Sequence, residues 1–197
     1  MNIEIMTALA AFAFVSSVTP GPNNLMLMTS GANFGIRRTM PHFLGVVFGF
    51  LLMILLLGFG MVEVFSAWPR AYDLLRVLSI AYLLYLAYRI ASASPSDIDA
   101  ASTPLSGLQA ALFQWVNPKA WAMAVTALTV YAPSQALVHV LLVALVCAAV
   151  NSPSVFVWVV MGSRLRGLLR DPGRLRLFNW FMAALLLASL YPVLFSA

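Results

Sequence analysis

The sequence predicts an all-α polytopic membrane protein, with six transmembrane helices arranged as a 3+3 inverted repeat and with broken helices at the first and fourth positions. Three observations lead there. The 197 residues are 62% hydrophobic and 9% charged, so the solvent of this chain is lipid. The apolar residues fall into six uncharged or nearly uncharged runs of spanning length. Two of those runs, one in each half, are cut by proline beside asparagine.

The runs are residues 5–29, 42–62, 72–91, 107–131, 135–161 and 178–195. Each comes close to or exceeds the roughly 20 residues that a bilayer requires. The stretch 120–163 carries no charge and is long enough for two spans, divided at Ala132-Pro133-Ser134. The chain begins Met1-Asn2-Ile3-Glu4, an acid where a signal peptide carries a base, and its apolar run passes any small-residue cleavage site, so no cleavage is expected. Basic residues set the orientation. The first, third and fifth loops and their helix ends hold Arg37, Arg38, Arg89, Arg164, Arg166, Arg170, Arg174 and Arg176, against Arg70 and Arg76 on the other side. Basic loops stay in the cytoplasm, so both termini are expected outside. The net charge of +5 lies in short loops, which suits anionic lipid headgroups as partners and argues against nucleic acid.

A polar linker at about 92–104, with Ser92, Ser94, Pro95, Ser96, Asp97, Asp99 and Ser102, joins two halves of one transporter domain, about 1–91 and 105–197. Asp171-Pro172-Gly173 reads as a turn inside the arginine-rich fifth loop, itself a topology signal. Three spans per half is an odd number, so the second half enters the membrane in the opposite sense. Setting Pro22 against Pro118 places Thr19-Pro20-Gly21-Pro22-Asn23-Asn24 opposite Val116-Asn117-Pro118-Lys119. The ends correspond more loosely: residues 78–88 and 180–191 are both leucine-rich and end in tyrosine.

Each proline removes a backbone N–H and clashes with the preceding turn, and Gly21 loosens what remains. Freed carbonyls and amide side chains are tolerated in hydrocarbon only where they are buried in protein or line a cavity. Two proline-interrupted spans at matching positions therefore point to a midplane site of a secondary transporter. A zwitterionic amino acid there needs donors for its carboxylate and acceptors for its ammonium. The half-helix after Pro22 offers N–H groups, the half ending near Thr19 offers carbonyls, and Asn23, Asn24 and Asn117 offer both. The alternative is that the prolines only kink packed helices and the asparagines satisfy the kinks. Asn151-Ser152-Pro153, in the fifth span, either lines the same cavity or is a kink of its own.

Lys119 is the only lysine, one residue past a proline and some way inside an apolar span. With a helix start near Gly107 it lies about 18 Å deep, beyond easy snorkelling. It could pair with a substrate carboxylate, or give up its proton and couple transport to the proton gradient. No Asp or Glu lies deep in a span, since Glu4, Glu63 and Asp73 sit at ends, so a neutral amino acid is favoured over lysine or arginine and no acidic proton relay is expected. Trp115 and Trp121 could stack on an ammonium or anchor an interface. His42 and His139 read as isolated interfacial residues. One cysteine, Cys147, allows no disulfide, thiol pair or metal cluster, so no cofactor or metal is expected. A membrane redox or metal-ion handling protein would need such clusters, and an intramembrane enzyme would need a nucleophile with a base. A chain this small is expected to associate as a homo-oligomer, with no residue fixing the stoichiometry.

Thr19-Pro20-Gly21-Pro22-Asn23-Asn24-Leu25, followed by Gly31-Ala32-Asn33-Phe34-Gly35-Ile36-Arg37-Arg38 with Pro41, Gly45 and Gly49, resembles the first-loop signature of the LysE/RhtB amino-acid exporter family. Phe113-Gln114-Trp115-Val116-Asn117-Pro118-Lys119-Ala120-Trp121 resembles its second signature. With six spans and a polar middle loop, the resemblance covers essentially the whole chain. It implies a secondary transporter, not an enzyme, exporting amino acids or related metabolites across a bacterial inner membrane; with no acid deep in a span, neutral solutes of a threonine- or homoserine-like kind are the ones expected. The substrate-binding residues expected are Pro20, Gly21, Pro22, Asn23, Asn24, Gln114, Asn117, Pro118, Lys119 and Asn151. One departure is that family glycines in the third and sixth helices are replaced here by Ser79, Ala81, Ala87, Ala183, Ala184 and Ser189, still small enough for close packing.

Overall fold

Helix α1 (Ile3–Val18) starts on Asn2, whose side chain accepts from the Ile5 amide at 2.9 Å, and stops at Thr19, ahead of Pro20. Helix α2 (Pro22–Leu56) opens on a proline at its first position, where the missing N–H would have had no helical partner anyway. A wide turn, Leu57–Met61, follows. The computed structural model describes residues 1–61, 70–93 and 103–191. All but the ends of the expected linker, Glu63, and the tip of the sixth expected span lie outside the described residues.

Helix α3 (Arg70–Ser92) precedes the linker. Helix α4 (Gly107–Phe113) begins with a reciprocal cap between Ser106 and Gln109 and ends in a tight turn, Gln114–Val116. Asn117 then caps helix α5 (Pro118–Tyr131), which again has proline at its first position. Helix α6 (Leu137–Leu165) and helix α7 (Pro172–Ala188) complete the chain. No strand occurs among the described residues.

Helix α2 is not one rod. Gly35 has φ 76° and ψ 172°, a left-handed conformation that only glycine adopts without strain. The hydroxyls of Ser30 and Thr39 lie 3.0 Å apart across it, whereas nine residues of straight helix would separate them by about 13.5 Å. The chain therefore folds back at Gly35 into two limbs, 22–34 and 36–56. Pro22–Gly60, Asp73–Ser92 and Leu137–Leu165 are each long and apolar enough to cross a membrane, and the fold-back divides the first of them in two.

Three boundaries differ from the sequence reading. The gap expected between residues 29 and 42 shrinks to the Gly35 turn, because Arg37, Arg38 and Pro41 point outward from the start of a helix instead of forming a loop. Asp171-Pro172-Gly173 is no turn: the Asp171 side chain accepts from the Arg174 amide at 2.9 Å and Pro172 starts α7. Asn151-Ser152-Pro153 does not interrupt α6, which continues through Pro153 to Leu165.

Packing is close enough to bring backbones together. A side chain on Gly31 would strike the Val159 carbonyl, and one on Gly162 the Met28 carbonyl, so α6 lies directly against the first limb of α2. Gly45 and Gly49 of the second limb meet Gly107 and Ala111 of α4 in the same way. Leu83, Leu86 and Ala87 of α3 pack with Met182, Ala183 and Leu186 of α7. Phe14, Phe48, Leu84, Leu108, Leu145 and Phe181 face outward, as they do in a protein whose exterior is lipid. An apolar cluster of Leu9, Ala13, Met53, Ala124, Val143 and Ala144, which also includes Phe50 and Ala120, and a second of Leu27, Val46, Val155 and Val159 both reach the site, since Phe50, Ala120 and Val155 line its cavity.

Candidate functional site

The two interrupted segments touch. Lys119, at the start of α5, extends its ammonium to the end of α1, where Nζ donates to the Thr19 carbonyl at 2.8 Å, the Thr19 hydroxyl at 2.9 Å and the Pro20 carbonyl at 3.3 Å. Three donors meet three acceptors. The carbonyls ending a helix lack helical partners and carry its negative dipole end, so a cation is favoured there. Asn24 serves the same carbonyl end, its Nδ2 donating to Ser17 O and Thr19 O, both at 2.7 Å. Lys119 thus joins the start of α5 to the end of α1.

Gly21 lies directly against the Lys119 side chain. Its φ of −175° is extended backbone open to any residue, so the flexibility expected of it is not what the structure uses. A Cβ here would lie 2.7 Å from Lys119 Cδ and 3.1 Å from Nζ. Pro22 and Pro118 fix the first turns of their helices and bring no polar group to the site.

Asn23 and Gln114 form a reciprocal amide pair, Asn23 Nδ2 donating to Gln114 Oε1 at 2.8 Å and Gln114 Nε2 to Asn23 Oδ1 at 3.2 Å. Gln114 Nε2 also donates to Ala110 O at 2.9 Å. These two residues clasp the two segments together; Gln114 has both N–H groups committed, while Asn23 keeps one N–H and an oxygen lone pair and lines the cavity described below. Asn117 is committed locally, its side chain accepting from the Lys119 amide at 3.2 Å. Asn117→Ala should cost about 1 kcal/mol through the lost cap and release the start of α5, lowering export as well as the melting temperature of the purified protein. Unchanged export would show that the cap does not hold Lys119 in place.

Asn151 comes from α6, its Nδ2 donating to Ser17 Oγ at 3.0 Å, while its Oδ1 is buried without a partner among the described residues. Gly21, Asn23, Asn24, Asn117, Lys119 and Asn151 line one small cavity. Its volume of about 20 Å³ admits a water molecule and not an amino acid. Trp115 and Trp121 do not line it: they meet edge to face at 6.0 Å within the apolar cluster, Trp121 Nε1 donating to Trp115 O at 2.8 Å. Cys147 is buried in that cluster too, and no group of three His, Cys, Asp or Glu able to hold a metal occurs among the described residues.

A family model described as LysE type translocator matches residues 14–189. The chain belongs to the LysE type translocator family. Among its relatives is the cysteine/O-acetylserine efflux protein of Klebsiella pneumoniae subsp. pneumoniae, 28% identical over 191 residues, 94% of this chain and 95% of the relative. The proteins of the same name from Escherichia coli O1:K1 and from Escherichia coli strain K12 are 30% and 28% identical, each covering 88% of this chain and 90% of the relative. No solved structure matches.

In this LysE-family chain the cavity also takes Ser16, Ser17, Phe50 and Met123, which the sequence reading does not single out. The serines stand one turn before the first break, a position that invites attention once α1 is known to end at Val18. Phe50 arrives from the second limb of α2, a contact set by the fold-back at Gly35, and no local pattern announces it.

Proposed function

We propose that this chain is a secondary exporter of small neutral amino acids, from the cytoplasm across a bacterial inner membrane, with its substrate site where the two interrupted helices meet. The observation that carries this reading is the hold of Lys119 on carbonyls 99 and 100 residues away in the chain. The Lys119 ammonium occupies the acceptors that a substrate ammonium would use. An entering zwitterion offers Lys119 a carboxylate in exchange and takes over the Thr19 and Pro20 carbonyls, while Asn151 Oδ1 supplies a further acceptor. The cavity must widen to admit it, which ties substrate binding to a conformational step. No acid lines the cavity among the described residues, so a substrate with a cationic side chain finds no counter-charge.

A six-span, 3+3 inverted repeat is the architecture that suits this mechanism, and the packing supports it. If residues 3–34 form the first span and α4 with α5 the fourth, then the first span packs on the fifth through Gly31 and Gly162, the fourth packs on the second through Gly45 and Gly107, and the third packs on the sixth. A two-fold axis in the membrane plane exchanges the first two of these contacts and leaves the third unchanged. The excess of arginine in alternate loops supports a Gly35 turn in the cytoplasm and both termini outside. Proton coupling through Lys119 completes the proposal.

The relatives' names support cysteine and O-acetylserine, both small and neutral; threonine and homoserine are proposed only from the lack of an acid in the site among the described residues. Inside-out vesicles containing the protein should take up these four labelled solutes in preference to lysine and arginine, and a protonophore should abolish the uptake. Equal uptake by vesicles lacking the protein, or a preference for lysine and arginine, would overturn the reading.

A further inference from the structure

A second cavity, of about 390 Å³, opens beside the Gly35 fold-back of α2, next to the end of α3 and the residues just before α4, and is lined by Met26, Thr29, Ser30, Asn33, His42 and Arg89 among others. It is large enough for an amino acid. We propose that it is a second solute-binding site, which takes an amino-acid zwitterion by its carboxylate before the solute reaches Lys119. The inference rests on the export reading for its direction, and on the cavity's own chemistry for its ligand.

His42 is 1% exposed, yet neither ring nitrogen has a hydrogen-bond partner among the described residues. In either neutral tautomer one N–H then lacks an acceptor and one nitrogen lacks a donor, a costly arrangement that a polar guest would relieve on displacing the atoms that now cover both nitrogens. Arg89 stands at the exposed rim, where its guanidinium suits a carboxylate. Acceptors for the ammonium line the same cavity. Thr39 Oγ1 donates to Gly35 O at 2.8 Å, so in the 3.0 Å contact between Thr39 and Ser30 the hydrogen belongs to Ser30, which keeps its oxygen lone pairs free. Thr29 spends its hydrogen on Leu25 O at 2.8 Å and likewise remains an acceptor. Met26 lines this cavity and Asn24 the small one, two residues and about 3 Å of helix rise apart. A solute held here is one step from the interruptions.

The test is equilibrium binding of labelled L-cysteine to the purified full chain in nanodiscs, with transport in vesicles as a separate arm. Lys119→Ala protein, deprived of its midplane cation, should still bind cysteine saturably. Mercaptopropionate, which keeps the carboxylate, should displace it, and cysteamine, which lacks one, should not. Arg89→Gln or His42→Leu in that background should weaken binding about tenfold or more. Arg89 is exposed, so Arg89→Gln is expected to fold whether or not His42→Leu does. Loss of all binding with Lys119→Ala alone, or binding unmoved by Arg89→Gln, would overturn the second site. Wild-type vesicles that move no cysteine while the Lys119→Ala protein still binds it at Arg89 would instead overturn export of cysteine and leave the second site standing.

Discussion

Replacing Lys119 with alanine is expected to abolish export while the protein still inserts in the membrane. The ammonium makes contacts at 2.8, 2.9 and 3.3 Å to the end of α1, and it is the only cation in the cavity among the described residues. Hydrogen bonds to charged groups contribute about 1.5–3 kcal/mol each, so losing one to a substrate carboxylate lowers affinity about tenfold to a hundredfold. Without the ammonium the Pro20 carbonyl loses this donor while the Thr19 carbonyl keeps Asn24 Nδ2, so only a modest fall in the melting temperature of the purified protein is expected. Gly21→Ala approaches the same residue from the other side. Its new methyl would displace the lysine stem without changing a charge, so it should lower export too, with a smaller change in stability. Export at the wild-type rate in Lys119→Ala cells that contain normal amounts of protein would remove Lys119 from the mechanism.

The helix starts at Pro22 and Pro118 are legible in the sequence because proline and asparagine act locally. Pro22 and Pro118 sit at the first positions of their helices, and Asn117 and Asn24 serve the free backbone groups beside them, as those residue types must in lipid. The partner of each amide is not legible. Asn23 and Gln114 could equally well have faced a ligand, and their mutual pairing depends on the 91 residues between them folding as they do. Helix ends are misjudged where charge is equated with loop: Arg37, Arg38, Arg174 and Arg176 lie within helices, pointing outward near the ends. His42 illustrates the other limit. A histidine beside a proline near a helix end gives no hint of burial, and only the fold-back at Gly35 carries it inside.

That fold-back and the contacts around it depend on glycine, and Gly162→Val should therefore be among the most damaging single substitutions in the chain. A Cβ at Gly162 would run into the Met28 carbonyl and lie 2.9 Å from the Ala32 amide nitrogen, both backbone atoms that cannot rotate out of the way. Helix α6 and the first limb of α2 would have to separate, and the reciprocal contact of Gly31 on Val159 would open with them. Overpacking a tight contact costs about 1–3 kcal/mol and more where backbone must move, a large share of the stability of a small protein. The expected readout is loss of the monodisperse peak in size-exclusion chromatography of the detergent-extracted protein. Gly162→Ala should show a milder fall in melting temperature. The same separation would withdraw Asn151 from Ser17, since Asn151 stands on α6 and Ser17 on α1, so whatever Gly162→Ala protein survives should also export more slowly. Wild-type stability and export in Gly162→Val would mean that these two helices are not held at the distance on which the site depends.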